Sequence, residues 1–222
     1  MELGQYFPFW QQLEPSQQQQ LAQGAREYFA PAGTVLHNGN EDCIGLLLVL
    51  QGQLRVYALS AEGKEVTLFR LLERDLCLFS ASCMLHSIQF EVVVAAAEDT
   101  RLIQISADRY QQVMQQSAPV ANYTNEVLAS RLSDVMWLLD QILSKRMDGR
   151  VAALLLEESQ LRDTLELKVT HEQLARHLGS AREVVTRVLK YLQQEGMIAL
   201  FRGGVQILQP QALEDLAADS LR

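Results

Sequence analysis

The stretch LGSAREVVTRVLKYLQQEGMI, residues 178–198, combines a glycine turn with an amphipathic helical pattern. Gly179 can supply a tight turn, Ser180 can cap the helix that follows, and Gly196 can end it. We therefore predict a helix from about residue 181 to residue 194. The residues expected to face inward, here and just before the turn, are Leu174, Ala175, Leu178, Val184, Val185, Val188, Leu189 and Leu192.

Another short helix is predicted before this turn. Thr170 is followed three positions later by Gln173, which is the spacing of a capping box. The helix that Thr170 begins runs to about Leu178. Two short helices joined through a glycine form a helix-turn-helix.

The outward side of the second helix is polar and basic, with Arg182, Glu183, Thr186, Arg187 and Lys190. In a helix-turn-helix the N-terminal half of the second helix enters the major groove. Arginine there can bond both acceptors of guanine, and glutamate can accept from cytosine. The alternative is a solvated helix face of mixed charge. It is disfavoured because the turn, the caps and the apolar pattern all agree.

A hairpin follows the second helix. The stretches 197–201 and 205–208 have a strand-like pattern on either side of Arg202-Gly203-Gly204, and Gly203-Gly204 suits a two-residue turn between them. The pattern predicts a winged helix-turn-helix. Arg202 at the wing tip is a candidate phosphate contact.

Charge is distributed unevenly along the chain. The formal net charge is −8, yet residues 168–202 hold six basic side chains against three acidic ones. A basic patch on an acidic body predicts one docking face for a polyanion. Indiscriminate binding to nucleic acid or membrane is disfavoured.

The N-terminal half has the pattern of an all-β sandwich or barrel. Turn dipeptides containing glycine separate short apolar runs after a glutamine-rich helix predicted at Pro15 to Tyr28. The predicted strands are residues 44–50, 54–59, 66–72, 90–97 and 101–105.

A helical period begins at Ala107. The seam formed by Leu128, Leu132, Val135, Leu139 and Ile142 has 4, 3, 4, 3 spacing, which favours a dimerising helix extending to about Lys145. Packing of this seam against the protein's own barrel is the alternative, and both can hold for different faces. A break is predicted at Asp148-Gly149, followed by a helix at residues 150–159 and a strand at residues 165–169.

Composition predicts a cytoplasmic protein. No apolar run is long enough to cross a membrane, and the first residues lack a secretory layout. Cys43, Cys77 and Cys83 form neither an even set nor a metal clip, so no structural disulfide is expected.

The segment THEQLARHLGSAREVVTRVLKYLQQEGMI, after a β-barrel and a long seam helix, resembles the CRP/FNR family of bacterial transcription regulators. The resemblance implies an α+β fold. Residues 1–106 would form a cyclic-nucleotide-binding-like β-roll of jelly-roll or cupin type, which binds the effector. Residues 107–147 would form the linker and dimerisation helix, and residues 148–222 the winged helix-turn-helix.

The resemblance also implies a homodimer on a palindromic double-stranded operator, with RNA polymerase as a further partner and no enzymatic activity. Arg182, Glu183 and Arg187 match the family's base-reading positions for a TGTGA-like half-site. Thr170 and Lys190 fall where family members contact phosphate, and Ser180 and Arg202 complete the predicted DNA-binding set. Thr186 stands where the cyclic-AMP receptor has glycine.

The sensor half departs from the cyclic-AMP pattern. Residues 75–100 contain no Arg or Lys, so a buried cyclic phosphate would lack a cation. An FNR-type iron–sulfur cluster needs four cysteines, and the chain has three. The effector is left open between a small molecule, thiol oxidation and haem. The residues predicted to surround it are Cys77, Cys83, His86, Val135 and Met136.

Two other functions remain open from sequence. A cupin-like metal enzyme with a helical appendage would need two or three histidines converging on a metal, and His37 and His86 alone do not supply them. A DNA-binding protein whose barrel binds nothing is the other.

Overall fold

The computed structural model describes residues 3–39, 43–84 and 92–220, except for the side chains of Ser82 and Cys83. Its contacts divide the chain into two compact units. The first comprises Met1–Leu59 and Leu68–Val135, and the second comprises Ser60–Thr67 and Met136–Arg222.

Strands β1 to β8 form two antiparallel sheets and belong to the first unit, except for residues 65–67 of β5, which belong to the second. One has the strand order β1-β8-β3-β6, and the other has the order β2-β7-β4-β5. The strands are β1 Ala25–Ala30, β2 Val35–Asn38, β3 Leu46–Gln51, β4 Leu54–Leu59, β5 Glu65–Leu71, β6 Leu76–Cys77, β7 Val93–Ala96 and β8 Thr100–Ile105. Short 3-10 turns lie at Leu3–Gln5, Trp10–Gln12 and Phe79–Met84.

Strand β3 is buried on both of its faces. Successive side chains of a strand point to opposite sides, so its residues enter two different cores. Leu47 and Val49 pack into the core between the two sheets. Leu46 and Leu48 pack into a second core beneath the N-terminal segment and the first helices. The continuous apolar run of this strand is therefore a consequence of its central position.

The predicted glutamine-rich helix is shorter than expected. Helix α1 spans Pro15–Gln23 and ends at Gly24, and the prediction that it extends to Tyr28 is wrong. Residues Ala25–Ala30 form β1, which pairs along its whole length with β8. Backbone pairing with a distant strand overrides the local helical pattern here.

Helix α2, Ala107–Gln116, is followed after Ser117 by the 27-residue helix α3, Ala118–Ser144. At 1.5 Å per residue α3 is about 40 Å long. Pro119 lies in its first turn, where a missing N–H costs nothing.

The break after α3 lies earlier than predicted. Helix α4 spans Met147–Arg162 and contains Asp148 and Gly149 in its first turn. The Asp148 carboxylate accepts from the Gly149 N–H at 3.0 Å, as suits a helix N-terminus. A Cβ at Gly149 would lie 3.1 Å from the carbonyl oxygen of Leu216, so this glycine allows close packing within the second unit.

The second unit has the predicted winged helix-turn-helix. After α4 come β9 Glu166–Leu167, α5 His171–Leu178, α6 Arg182–Gln194, β10 Ile198–Phe201, β11 Gly204–Ile207 and α7 Pro210–Ala217. The strands form a sheet of order β10-β11-β9. The predicted α+β architecture of β-roll, long helix and winged helix is confirmed.

Candidate nucleic-acid interface

The first helix of the motif begins and ends as predicted. Thr170 Oγ1 accepts from the Gln173 N–H at 3.2 Å, and Gln173 Oε1 accepts from the Thr170 N–H at 2.8 Å. This is the reciprocal capping box. The helix ends at Leu178, and Gly179 adopts the left-handed conformation with a φ of 63°.

Helix α6 begins one residue too late for Ser180 to be its N-cap. Its N-cap is Ala181, without a side-chain hydrogen bond, so the predicted capping role of Ser180 is wrong. The Ser180 N–H instead bonds the carbonyl of Ala175, which makes Ser180 part of the turn that closes α5. Gly196 ends α6 as predicted, with paired bonds from Gly196 to Gln193 and from Met197 to Leu192.

The inward face of α6 is narrower than predicted. Val185, Leu189 and Leu192 are buried in the core of the second unit, and Val188 packs against it. Val184, which was expected to face inward, is 37% exposed. On the first helix Leu174, Ala175 and Leu178 are buried as predicted.

The outward face of α6 brings the predicted base-reading residues together. Arg182, Glu183, Arg187 and Lys190 are exposed, and Thr186 is half-buried. Within the described part of the chain, no ion pair neutralises Arg182, Arg187 or Lys190. Their positive charge is therefore available to a polyanion.

Three of the predicted phosphate contacts lie at the start of α5, before α6 and in the wing. Thr170 lies immediately before α5 and Ser180 in the turn before α6, whereas Arg202 is exposed at the tip of the wing. The wing turn consists of Arg202-Gly203, because Phe201 pairs with Gly204, and the prediction of a Gly203-Gly204 turn is wrong. Gly204 belongs to β11, where a Cβ would collide with the Phe201 ring and the Leu167 carbonyl.

A histidine that sequence reasoning assigned no role connects the two helices. His171 Nδ1 lies 2.9 Å from Thr186 Oγ1. Burial, and then the positive charges of Arg182 and Lys190, lower the pKa of His171 from 6.5, which favours the neutral imidazole. No local sequence signal marks this pair, because the partners are 15 residues apart and meet through the crossing of two helices.

The predicted effector residues are only partly brought together. Cys77 is a free, buried thiol in the core between the sheets, and Val135 packs against that core. Met136 is 57% exposed. His86 and the side chain of Cys83 lie outside the described residues. Burial raises the pKa of the Cys77 thiol, although bonds involving Ser80 lower it in part, so Cys77 is a weak nucleophile.

The expectation that the chain has no disulfide is wrong at Cys43, which is disulfide-bonded. An odd cysteine count does not prevent one pair, and sequence spacing does not show which thiols lie close enough to join.

Among the residues that the structure describes, neither a metal site nor a membrane-spanning helix is present. No group of three or more His, Cys, Asp or Glu side chains is placed to hold a metal ion. No described helix has both the length and the apolar character needed to span a bilayer.

Two family models match the chain. A model described as a cyclic nucleotide-binding domain matches residues 26–117, and a model described as a Crp-like helix-turn-helix domain matches residues 149–216. The first match covers all the strands of the β-sandwich except the first residue of β1. The second covers α4 except its first two residues, and the winged helix-turn-helix up to the next-to-last residue of α7.

Known proteins resemble the chain over most of its length. The cyclic AMP receptor protein of Thermus thermophilus is 31% identical over 174 residues, 78% of this chain and 79% of that protein. The transcriptional regulator SdrP of the same organism is 30% identical over 176 residues, 76% of this chain and 82% of its own. A solved transcriptional regulator of the CRP/FNR family from Eubacterium rectale has a TM-score of 0.94 at 53% identity, covering 96% of this chain and 99% of its own.

Proposed function

Since this chain belongs to the CRP/FNR family of DNA-binding transcription regulators, we propose that it acts as a homodimer whose two α6 helices read a palindromic operator. The observation that carries the proposal is the outward face of α6. Arg182, Glu183 and Arg187 are exposed there on a helix whose other side is fixed in the core. A rigid helix with free guanidinium groups suits the major groove.

The outward side chains of α6 contact either bases or phosphates in this proposal. Arg182 and Arg187 bond guanines, Glu183 accepts from a cytosine amino group, and together they read a TGTGA-like half-site. Thr186 contacts a base pair between them. The remaining predicted contacts go to phosphate and hold the register without reading sequence, namely Thr170, Ser180, Lys190 and Arg202.

The long helix supports the dimer. On α3, Leu132 is 63% exposed, Met136 57%, Leu139 44% and Leu143 81%. At 100° per residue these four side chains lie within about 60° of one another, so they form one apolar stripe. Leu128 and Val135 of the predicted seam instead pack against the cores of the first unit. A second copy of α3 is the partner that would bury the stripe and set two recognition helices roughly 34 Å apart.

We propose that the effector binds in the β-roll and is not cyclic AMP. Arg131 of α3 is largely buried, stacks 5.2 Å from the Phe69 ring centre, and pairs with Asp75 at 2.8 Å and Asp134 at 3.1 Å. Two carboxylates therefore already balance this cation. A cyclic phosphate would have to displace them or be buried without a counter-charge.

Haem bound through His86, or through Cys83 where its thiol is reduced, stays a proposal, as does oxidation of thiols, whereas an FNR-type cluster is disfavoured by the cysteine count. Absorption spectra of the purified protein with and without reductant separate these chemistries. A haem band supports ligation. A spectrum without visible bands favours an organic effector, whose binding isothermal titration can detect. A protein that binds DNA constitutively shows neither a haem band nor ligand binding by titration.

The DNA-reading role is tested by fluorescence anisotropy with a labelled palindromic TGTGA duplex and a scrambled duplex of equal composition, at one stated salt concentration. We expect at least a hundredfold preference for the palindrome in the effector-bound state. Equal affinity for both duplexes, in the presence and absence of co-purified ligand, would contradict the proposal. Contact with RNA polymerase is a separate question, tested by in vitro transcription from a promoter that carries the site.

A further inference from the structure

His171 bonds Thr186, a residue on the outward side of α6 whose hydroxyl can act either as a hydrogen-bond donor or as an acceptor. We propose that His171 is a positioning residue which sets the role that Thr186 presents to DNA, so that base discrimination at the Thr186 contact changes with pH. The inference rests on the proposed DNA-reading role of α6. It adds a determinant of sequence specificity that does not itself need to touch a base.

The geometry leaves the Thr186 hydroxyl with one described partner. Threonine inside a helix commonly donates back to the carbonyl four residues earlier. Here the hydroxyl bonds Nδ1 of His171 at 2.9 Å instead, across the gap between α5 and α6. Because α5 is fixed by its capping box and α6 by its buried face, both partners are held in place.

When His171 is neutral, its Nδ1 can accept the hydroxyl hydrogen of Thr186, with the ring proton on Nε2. The hydrogen of Thr186 is then used within the protein, and only the oxygen lone pairs remain for DNA. An acceptor in the major groove favours the amino groups of adenine N6 or cytosine N4.

When His171 is protonated, both ring nitrogens carry hydrogen and the bond reverses. Nδ1–H then donates to Thr186 Oγ1, and the hydroxyl hydrogen becomes free. A donor in the groove favours thymine O4 or the N7 and O6 atoms of guanine. One proton on His171 therefore exchanges the preferred partner of Thr186.

Burial and the neighbouring charges decide how readily His171 takes up a proton. Arg182 and Lys190 of α6 disfavour the proton. On α5 itself, the neighbouring Glu172 lies 3.5 Å from Arg176, which balances its charge. Bound DNA adds phosphates, whose negative charge favours the protonated ring. The free protein should hold the neutral form, and the complex should take up a proton more readily.

The experiment measures affinity at pH 5.5 and pH 8.0 for duplexes in which each base pair of one half-site is exchanged in turn. The position at which Thr186→Val loses discrimination identifies the contacted base pair. At that position we expect the preference of the wild-type protein to change about three- to tenfold between the two pH values, the size of one hydrogen bond. His171→Asn keeps a bonding partner that cannot titrate, so its preference should not change with pH.

A matched control lies on the same helix. His177 Nδ1 lies 2.9 Å from the hydroxyl of Thr67, which is not part of α6. His177→Asn should therefore keep the pH dependence of the wild-type protein. Nitrogen NMR of the free protein adds a test that needs no DNA, because neutral His171 should carry its proton on Nε2.

The outcomes separate the two proposals. If the palindrome is preferred but discrimination at the Thr186 position is independent of pH, or His171→Asn behaves as wild type, the positioning role is overturned and DNA reading stands. A neutral His171 with its proton on Nδ1 also overturns it. Binding that prefers no duplex at either pH overturns the proposed function, and the positioning role with it.

Discussion

The guanidinium of Arg150 donates a 2.7 Å hydrogen bond to the main-chain carbonyl of Leu178, the last residue of α5. Arg150 lies on α4 and is only 8% exposed, and this burial lowers its pKa. A helix C-terminus presents unpaired carbonyls and partial negative charge, so a buried cation is stabilised there. The bond fixes the end of α5 directly before the Gly179 turn, and so the angle at which α6 is presented.

Replacing Arg150 should therefore destabilise the second unit. Arg150→Met leaves the Leu178 carbonyl without its charged partner, and we expect a loss of about 2 kcal/mol in the free energy of unfolding. Urea denaturation followed by circular dichroism measures it. Arg146→Met, an 87% exposed arginine paired with Asp148, is the control and should change stability by less than about 0.5 kcal/mol. Equal effects of the two variants would show that the Leu178 bond contributes nothing.

The Gly179 turn should be more sensitive to substitution than another glycine with similar backbone angles. Both Gly179 and Gly203 have positive φ, at 63° and 86°, but only at Gly179 would a new Cβ meet a neighbour, the Val66 side chain at 2.9 Å. Gly203→Ala should cost about 1 kcal/mol through backbone strain alone, and Gly179→Ala roughly 2 kcal/mol or more. Thermal unfolding compares them. Equal losses would mean that Val66 gives way without cost.

The helix-turn-helix could be predicted from sequence because its determinants are local. Thr170 and Gln173 are three residues apart, and Gly179 directly follows the helix it ends. Strand β1 could not be predicted, because only its first and last residues are buried, so it lacks the alternating pattern of a strand. Its pairing partner β8 is also distant in sequence. Gly149 was misassigned as a helix break for a related reason, since its purpose is close approach to the Leu216 carbonyl.

The candidate site shows the same division. Exposed positions of α6 follow from helical periodicity, and the structure places Arg182 and Arg187 as that period predicts. Two bonds that hold them in place, Arg150 to Leu178 and His171 to Thr186, join different helices and leave no pattern along the chain. The disulfide at Cys43 likewise depends on spatial proximity alone.

Substitution of Arg187 should separate base reading from phosphate binding. Arg187→Ala should lose about 1 to 3 kcal/mol on the cognate duplex and relax discrimination at one guanine. Lys190→Ala should weaken all duplexes similarly and reduce the slope of log affinity against log salt by about 1. Anisotropy titrations over a salt series measure both. An Arg187→Ala variant that weakens every sequence equally would contradict its base-reading role.

The apolar stripe of α3 should be needed for dimerisation. Leu143→Lys places a charge at a position that is 81% exposed, so the fold is kept while a desolvated seam is disrupted. We expect at least a tenfold weaker dimer by sedimentation equilibrium, and a matching loss of DNA affinity. Ser130→Lys adds the same charge at an exposed position roughly opposite the stripe and is the control. Dissociation by both variants alike would place the dimer contact elsewhere.

The titration of His171 predicts opposite effects of acid on folding and on DNA binding. Because burial and neighbouring cations lower its pKa in the folded protein, the unfolded chain binds the proton more readily below pH 6.5. This contribution to stability is complete above pH 6.5 and is lost as pH falls toward the lower, folded-state pKa. DNA phosphates favour the charged ring, so the affinity for DNA should rise as pH falls over the same interval.

Comparing the wild-type protein with His171→Asn between pH 5.5 and pH 8.0, by thermal unfolding and by anisotropy, isolates the contribution of this residue. The wild-type melting temperature should fall relative to the variant at low pH while its relative affinity rises, and a change of the same sign in both measurements would contradict the assignment.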